Sequence, residues 1–190
     1  MIRAFIAVEL PEPLRQEIAL FQSELRSSGG DAKWVEAGNL HMTLKFLGNI
    51  EESQVSPLKE ALTAAAKNLS PFTIQLEGIG SFPRTTDPRV VWLGISEGKE
   101  RLIALAQTVE QICSNLGFVP EDRAFSAHLT IGRIRSRDRL APLIKKLQAA
   151  DFRGSVPAPV EKIILFQSTL SPHGPTYIPL AEIFLRKITA

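Results

Sequence analysis

An α+β fold of two antiparallel sheets with helices packed outside is the architecture this sequence predicts, and three observations predict it. Strand, helix and strand patterns recur in both halves of the chain in a similar order. Several strands come as adjacent pairs joined by short turns, which suits antiparallel ladders better than a doubly wound parallel sheet. The helical segments each carry a single apolar stripe, so each can cover only one face of something else. No short repeat period is visible, which argues against solenoids and propellers. At 190 residues, with 44% hydrophobic and 22% charged residues, the chain suits one bilobal domain over 1–190, a degenerate duplication with pseudo-twofold symmetry.

The elements follow in order. Arg3 to Leu10 is strand-like through Phe5, Ile6 and Val8, and Pro11 and Pro13 sit where a helix begins. Leu14, Ile18, Phe21 and Leu25 recur on one stripe until Ser27-Ser28-Gly29-Gly30 ends the helix. His41 to Leu47 is the next strand, entered through Ala37-Gly38-Asn39 and closed by Gly48-Asn49. Val55, Leu58, Leu62, Ala65 and Leu69 mark a second helix, stopped by Pro71. Strands over Phe72 to Ile79 and Val90 to Ile95 flank a turn-rich segment from Ser81 to Pro88. A helix from Lys99 to Leu116 ends at Gly117, a natural cap. A strand from Ala127 to Ile134, a short helix from Leu140 to Leu147, and strands over Lys162 to Gln167 and Tyr177 to Leu185 complete the chain.

Lys and Arg exceed Asp and Glu by two, and the pI is about 8.8. That is weaker than the footprint of a general nucleic-acid coat protein, so any RNA contact is expected to be local. Cys113 has no partner for an internal disulfide and is expected to be a buried thiol. No apolar run approaches a membrane span and Met1-Ile2-Arg3 leads into a strand, so the expectation is a soluble, cytoplasmic monomer without membrane or obligate protein partners.

The informative residues are His41-Met42-Thr43-Leu44 and His128-Leu129-Thr130-Ile131, one occurrence in each half. With only three histidines in the chain, composition alone would place Thr two residues after two of them in about one sequence in a hundred. Side chains alternate along a strand, so each His and Thr share one face while the apolar residues share the other. A polar face is costly to bury, so two such strands facing each other would line a wet cleft with two imidazoles and two hydroxyls.

These motifs, with Trp34-Val35, the run from Asn39 to Gly48, Val90-Val91-Trp92-Leu93-Gly94 and the run from His128 to Arg133, closely resemble the RNA 2',3'-cyclic phosphodiesterases of the two-histidine phosphoesterase superfamily, also described as 2'-5' RNA ligases. The resemblance runs nearly end to end. It implies two antiparallel sheets forming a central groove, with one motif from each lobe in it. It also implies hydrolysis of RNA ends bearing a 2',3'-cyclic phosphate to 2'-phosphates, without metal or cofactor. His41 would be the proton donor and His128 the acceptor, with Thr43 and Thr130 holding the phosphate; the sequence by itself does not separate the two histidine roles.

Such chemistry needs one group to deprotonate the attacking water and another to protonate the departing oxygen, and imidazoles with an unperturbed pKa of about 6.5 can do both jobs near neutrality. Arg133, Arg135, Arg137 and Arg139 follow the second motif. Arg133 and Arg135 are candidate substrate-binding residues, but strict alternation would turn Arg133 away from His128 unless the strand bulges at Gly132. Lys45 is a third candidate, because alternation puts it on the His41 face. Trp34, Phe5 and Tyr177 could stack on a base but sit in apolar, core-like patterns, and His173 reads as a surface histidine in a loop. A metallohydrolase is disfavoured by the lack of HExxH or HxH spacing, and an ATP-driven ligase by the lack of a phosphate-binding GxxxxGK[ST] loop. A nucleotide-binding module without chemistry is the remaining rival.

Overall fold

A computed structural model describes residues 1–172 and 174–186. His173 therefore lies outside the described residues. The elements are β1 (Ile2–Glu9), α1 (Glu12–Arg26), β2 (Ala32–Trp34), β3 (His41–Ile50), α2 (Val55–Ala66), β4 (Phe72–Arg84), β5 (Asp87–Glu97), α3 (Lys99–Asn115), β6 (Leu129–Ile134), α4 (Leu140–Ala149), β7 (Ala158–Val160), β8 (Lys162–Ser171) and β9 (Gly174–Phe184). They form a four-stranded sheet, β3-β1-β8-β9, and a five-stranded sheet, β2-β6-β5-β4-β7. Every pairing is antiparallel, as the paired strands in the sequence lead one to expect.

The duplication is legible in the strand order. β3-β1-β8-β9 corresponds to β6-β5-β4-β7, with a motif strand beside a central strand in each, and β2 is an addition along β6. One hydrophobic core joins the outward faces of both sheets to all four helices. It includes Ile6, Val8, Met42, Leu93, Leu129 and Leu165 from strands, and Leu14, Ile18, Leu58, Leu62, Leu105, Val109 and Leu143 from helices. Each fully buried aliphatic side chain of this kind stabilises the fold by about 1.5–3 kcal/mol. Cys113 is buried in the same core, and burial pushes its thiol pKa up to about 12.

The structure corrects two expectations about elements. β4 and β5 continue through most of the Ser81 to Pro88 segment, leaving only Thr85 and Thr86 as the turn. The prolines are accommodated because Pro83 lies opposite Pro88, beside a register shift, where neither has an N–H to contribute. β2 and β7, three residues each, were not foreseen, since so short a run carries no readable alternation. Gly117 takes a left-handed φ of 86°, and the Phe118 N–H bonds the Cys113 carbonyl, so α3 stops as expected.

Candidate active site

Both motif strands break their alternation at the same place. In β3, Thr43 pairs with Ala7 and Lys45 with Ile6, so Leu44 is an extra residue. In β6, Thr130 pairs with Trp92 and Gly132 with Val91, so Ile131 is the extra residue. A bulge shifts the phase by one. Leu44 and Lys45 are therefore both buried toward the helices, as are Ile131 and Gly132, while Phe46 and Arg133 return to the face of the histidines. Gly132 is required at that point, because a Cβ there would come within 2.8 Å of the Trp34 ring.

Each imidazole is held identically. His41 Nδ1 lies 2.7 Å from the Asn39 carbonyl, and His128 Nδ1 lies 2.7 Å from the Ser126 carbonyl. A carbonyl can only accept, so Nδ1 carries the hydrogen and donates, which leaves Nε2 as the nitrogen able to take or give a proton. Aromatic rings press on both. His41 packs against Phe5 at 4.8 Å and edge-on against Tyr177 at 5.0 Å. His128 meets Phe82 edge-on at 5.0 Å and Trp92 at 6.2 Å. Burial lowers both histidine pKa values below 6.5, outweighing the backbone carbonyls that act to raise them; at His128 the Arg133 charge lowers it further.

Phe5, Ala7, Ile164 and Phe166 form a separate apolar patch with Tyr177 beside it, on the face of the four-stranded sheet that also carries His41 and Thr43. The five-stranded sheet presents Trp92, Thr130 and His128 in the corresponding place. β3 and β6 approach within 8 Å between Cα atoms although they belong to different sheets. The Arg133 charge is felt both at His128 and at Tyr177 of the opposite sheet. The two motifs thus flank one groove, to which a pocket of about 370 Å³ beside His128 adds the walls of Trp92, Gly94 and Ile103.

Of the other candidates, Arg133 lies on the groove face because of the bulge, and Arg135 follows it on an extended stretch whose N–H bonds the Asp31 carbonyl. Lys45 does not. It is 2% exposed, and its ammonium donates to Glu110 of α3 at 2.8 Å and to the Val119 carbonyl at 3.0 Å. The bulge at Leu44 reverses the simple alternation that put it beside His41, so its assignment to substrate binding is withdrawn. Trp34 is core, 5% exposed, whereas Phe5 is buried beneath His41 on the groove face. Sequence reasoning missed Phe46, 58% exposed and 6.3 Å from Phe5, and Lys33, which pairs with Arg133 through the unforeseen β2. Among the described residues no three His, Cys, Asp or Glu side chains are grouped so as to hold a metal ion, and no helix is long and apolar enough to cross a membrane.

A family model described as LigT-like phosphoesterase matches the chain twice, over residues 8–92 and 93–177, one copy for each histidine motif. The chain belongs to the LigT-like phosphoesterase family. Its relatives include proteins named RNA 2',3'-cyclic phosphodiesterase from Methanothermobacter thermautotrophicus, 38% identical over 96% of this chain and 98% of that one, and from Aquifex aeolicus, 36% identical over 97% and 98%. Among solved structures, a Thermus thermophilus protein superposes with a TM-score of 0.83 at 28% identity, covering 98% of this chain and all of that one. Escherichia coli LigT complexed with 3'-AMP has a TM-score of 0.79 at 25% identity over 98% and 99%. This LigT-like chain is accordingly a phosphoesterase with two sheets and a doubled motif, the architecture its sequence leads one to expect.

Proposed function

We propose that the chain hydrolyses the 2',3'-cyclic phosphate at the end of an RNA to a 2'-phosphate, by acid–base catalysis between His41 and His128. The observation that carries this reading is the matched pair of imidazoles, one per lobe, each with Nδ1 bonded to a carbonyl and Nε2 left for proton exchange. In-line opening of the ring needs a base beside the water and an acid beside the departing O3' at the same moment, which one side chain cannot supply. His41 serves as donor and His128 as acceptor. Thr43 and Thr130, each two residues along the same strand face, donate hydroxyl hydrogen bonds to the nonbridging oxygens as charge builds at phosphorus. With an RNA 5'-hydroxyl in place of water, the same steps give a 2'-5' bond, a weaker side reaction. The names of the relatives and the 3'-AMP held by Escherichia coli LigT support a ribonucleotide phosphate as the reacting group. Arg133 on the groove face binds substrate phosphate, and no metal or cofactor takes part.

The test is an assay in EDTA on a short RNA ending in a 2',3'-cyclic phosphate, with the product's phosphate position identified. The expected product is the 2'-phosphomonoester. His41→Ala and His128→Ala are each expected to lower turnover by on the order of 10²–10⁴. Near-normal rates in both variants, or a 3'-phosphate product, would refute the mechanism.

A further inference from the structure

The groove is electrically one-sided along its length. On the groove face of β1, Arg3, Phe5, Ala7 and Glu9 succeed one another at alternate positions over about 20 Å. At the Glu9 end, which pairs with His41, the groove face carries Glu9 and Glu182, both bonded to Lys162 at 3.5 and 3.0 Å, for a net negative charge. At the Arg3 end cations predominate, with Asp31, whose carbonyl accepts from the Arg135 N–H, an acidic neighbour on that face. Lys33 lies directly opposite Arg133, and Arg135 continues from it beyond Ile134, whose side chain packs on the core. The charges of Arg3 and Arg133 are both felt at Tyr177, so they converge on the groove from opposite sheets. Lys33, in turn, reaches the β8–β9 hairpin, its ammonium 3.8 Å from the Cβ position of Gly174. All four cations are exposed, and among the described residues none of them has an ion-pair partner. Arg137 is not part of the group, being paired with Asp87.

Resting on the function proposed above, we infer that Arg3, Lys33, Arg133 and Arg135 form a track for the backbone phosphates of a single RNA strand, and that oligonucleotide ends, not cyclic mononucleotides, are the substrates this groove is built for. The strand enters from the Arg3 end and passes the exposed Phe46. Its cyclic phosphate reaches the histidines, and the carboxylates beyond them disfavour any further phosphate. Four cations on one face, none of them ion-paired among the described residues, repel each other and leave a net positive surface, which is what polyanion binding requires. The apolar ring of Phe46 amid them suits a nucleobase between phosphates.

The experiment compares kcat/KM for a 2',3'-cyclic mononucleotide with that for a four-nucleotide RNA ending in the same cyclic nucleotide, across a range of salt. The oligonucleotide is expected to be favoured at least about tenfold at low salt. Its advantage should fall with a log–log slope of about −1.4 for two neutralised phosphates. Lys33→Ala and Arg135→Ala, at exposed positions, should each reduce the ratio severalfold and flatten that slope. Equal efficiency for both substrates, a ratio indifferent to salt, or a ratio unmoved by either variant would overturn the track while leaving the hydrolysis of cyclic phosphates intact. Turnover of neither substrate would instead bring down the reading on which it rests.

Discussion

Burial lowers the pKa of His41 and of His128 and so favours their neutral forms, and that has consequences for pH. Their folded pKa values lie below 6.5, so the protonated member of the pair becomes scarce as the pH rises through about 6.5. The profile of kcat/KM against pH is therefore expected to peak on the acid side of 6.5. Because the Arg133 charge contributes to lowering His128, and His128 as proton acceptor sets the acid limb, Arg133→Ala should move the acid limb of the profile upward in pH; an unmoved acid limb would show that the charge does not reach the imidazole. The same shifts oppose stability in acid. The unfolded chain binds the protons more readily, so stability is lost as pH falls from about 6.5 toward the folded values. Lys45 and Glu110 make an asymmetric pair, with side chains 0% and 30% exposed. Glu110→Ala strands a buried ammonium and is expected to cost about 3–5 kcal/mol. Lys45→Met leaves a carboxylate that water can reach and should cost less. Urea denaturation of the two variants checks the order.

The bulges in β3 and β6 decide what each motif strand offers the groove after its threonine. In β6 the bulge is tied down from behind: buried Gln22 of α1 donates to the Ile131 carbonyl at 2.8 Å and to the Val35 carbonyl at 2.9 Å. Gly132 admits the Trp34 ring beside it. Gly132→Ala is expected to destabilise by about 1–3 kcal/mol through overpacking, and to raise KM more than it lowers kcat, since it disturbs the turn that delivers Arg133 and not the imidazole. Loss of stability without any change in KM would separate the bulge from substrate binding. In β3 the same shift sends Lys45 to α3 and Phe46 to the groove. The duplicated elements thus diverged at equivalent positions, an exposed phenylalanine in one lobe and an arginine in the other, and an asymmetric groove suits a directional substrate.

At the scale of the whole molecule, the two lobes share one core, with helices and both sheets in a single buried cluster. Neither lobe carries its own. Unfolding is accordingly expected to be a single cooperative transition, with tryptophan fluorescence and far-ultraviolet circular dichroism losing signal at the same denaturant concentration. Two separated transitions would mean that the lobes fold independently. The shared core also bears on the spacing of the motifs, because α3 packs against β3 of one sheet and β4 of the other.

By itself the sequence determined the doubled motif, the paired antiparallel strands, the one-sided helices and the place where α3 stops, since each follows from local periodicity or from a residue with a special backbone. The histidines and threonines were legible because a repeated pattern with alternating faces carries its own geometry. What only the tertiary structure decided was the phase of each strand beyond its threonine. A bulge leaves no trace in hydrophobic alternation, so Lys45 was assigned to the groove and Phe46 was passed over. Lys33 entered the site through β2, a strand too short to show a period and formed only because β6 offers an edge to pair with. Local chemistry thus points to the groups proposed to react, while long-range pairing selects which neighbours surround them, because register is set by contacts between segments far apart in the chain.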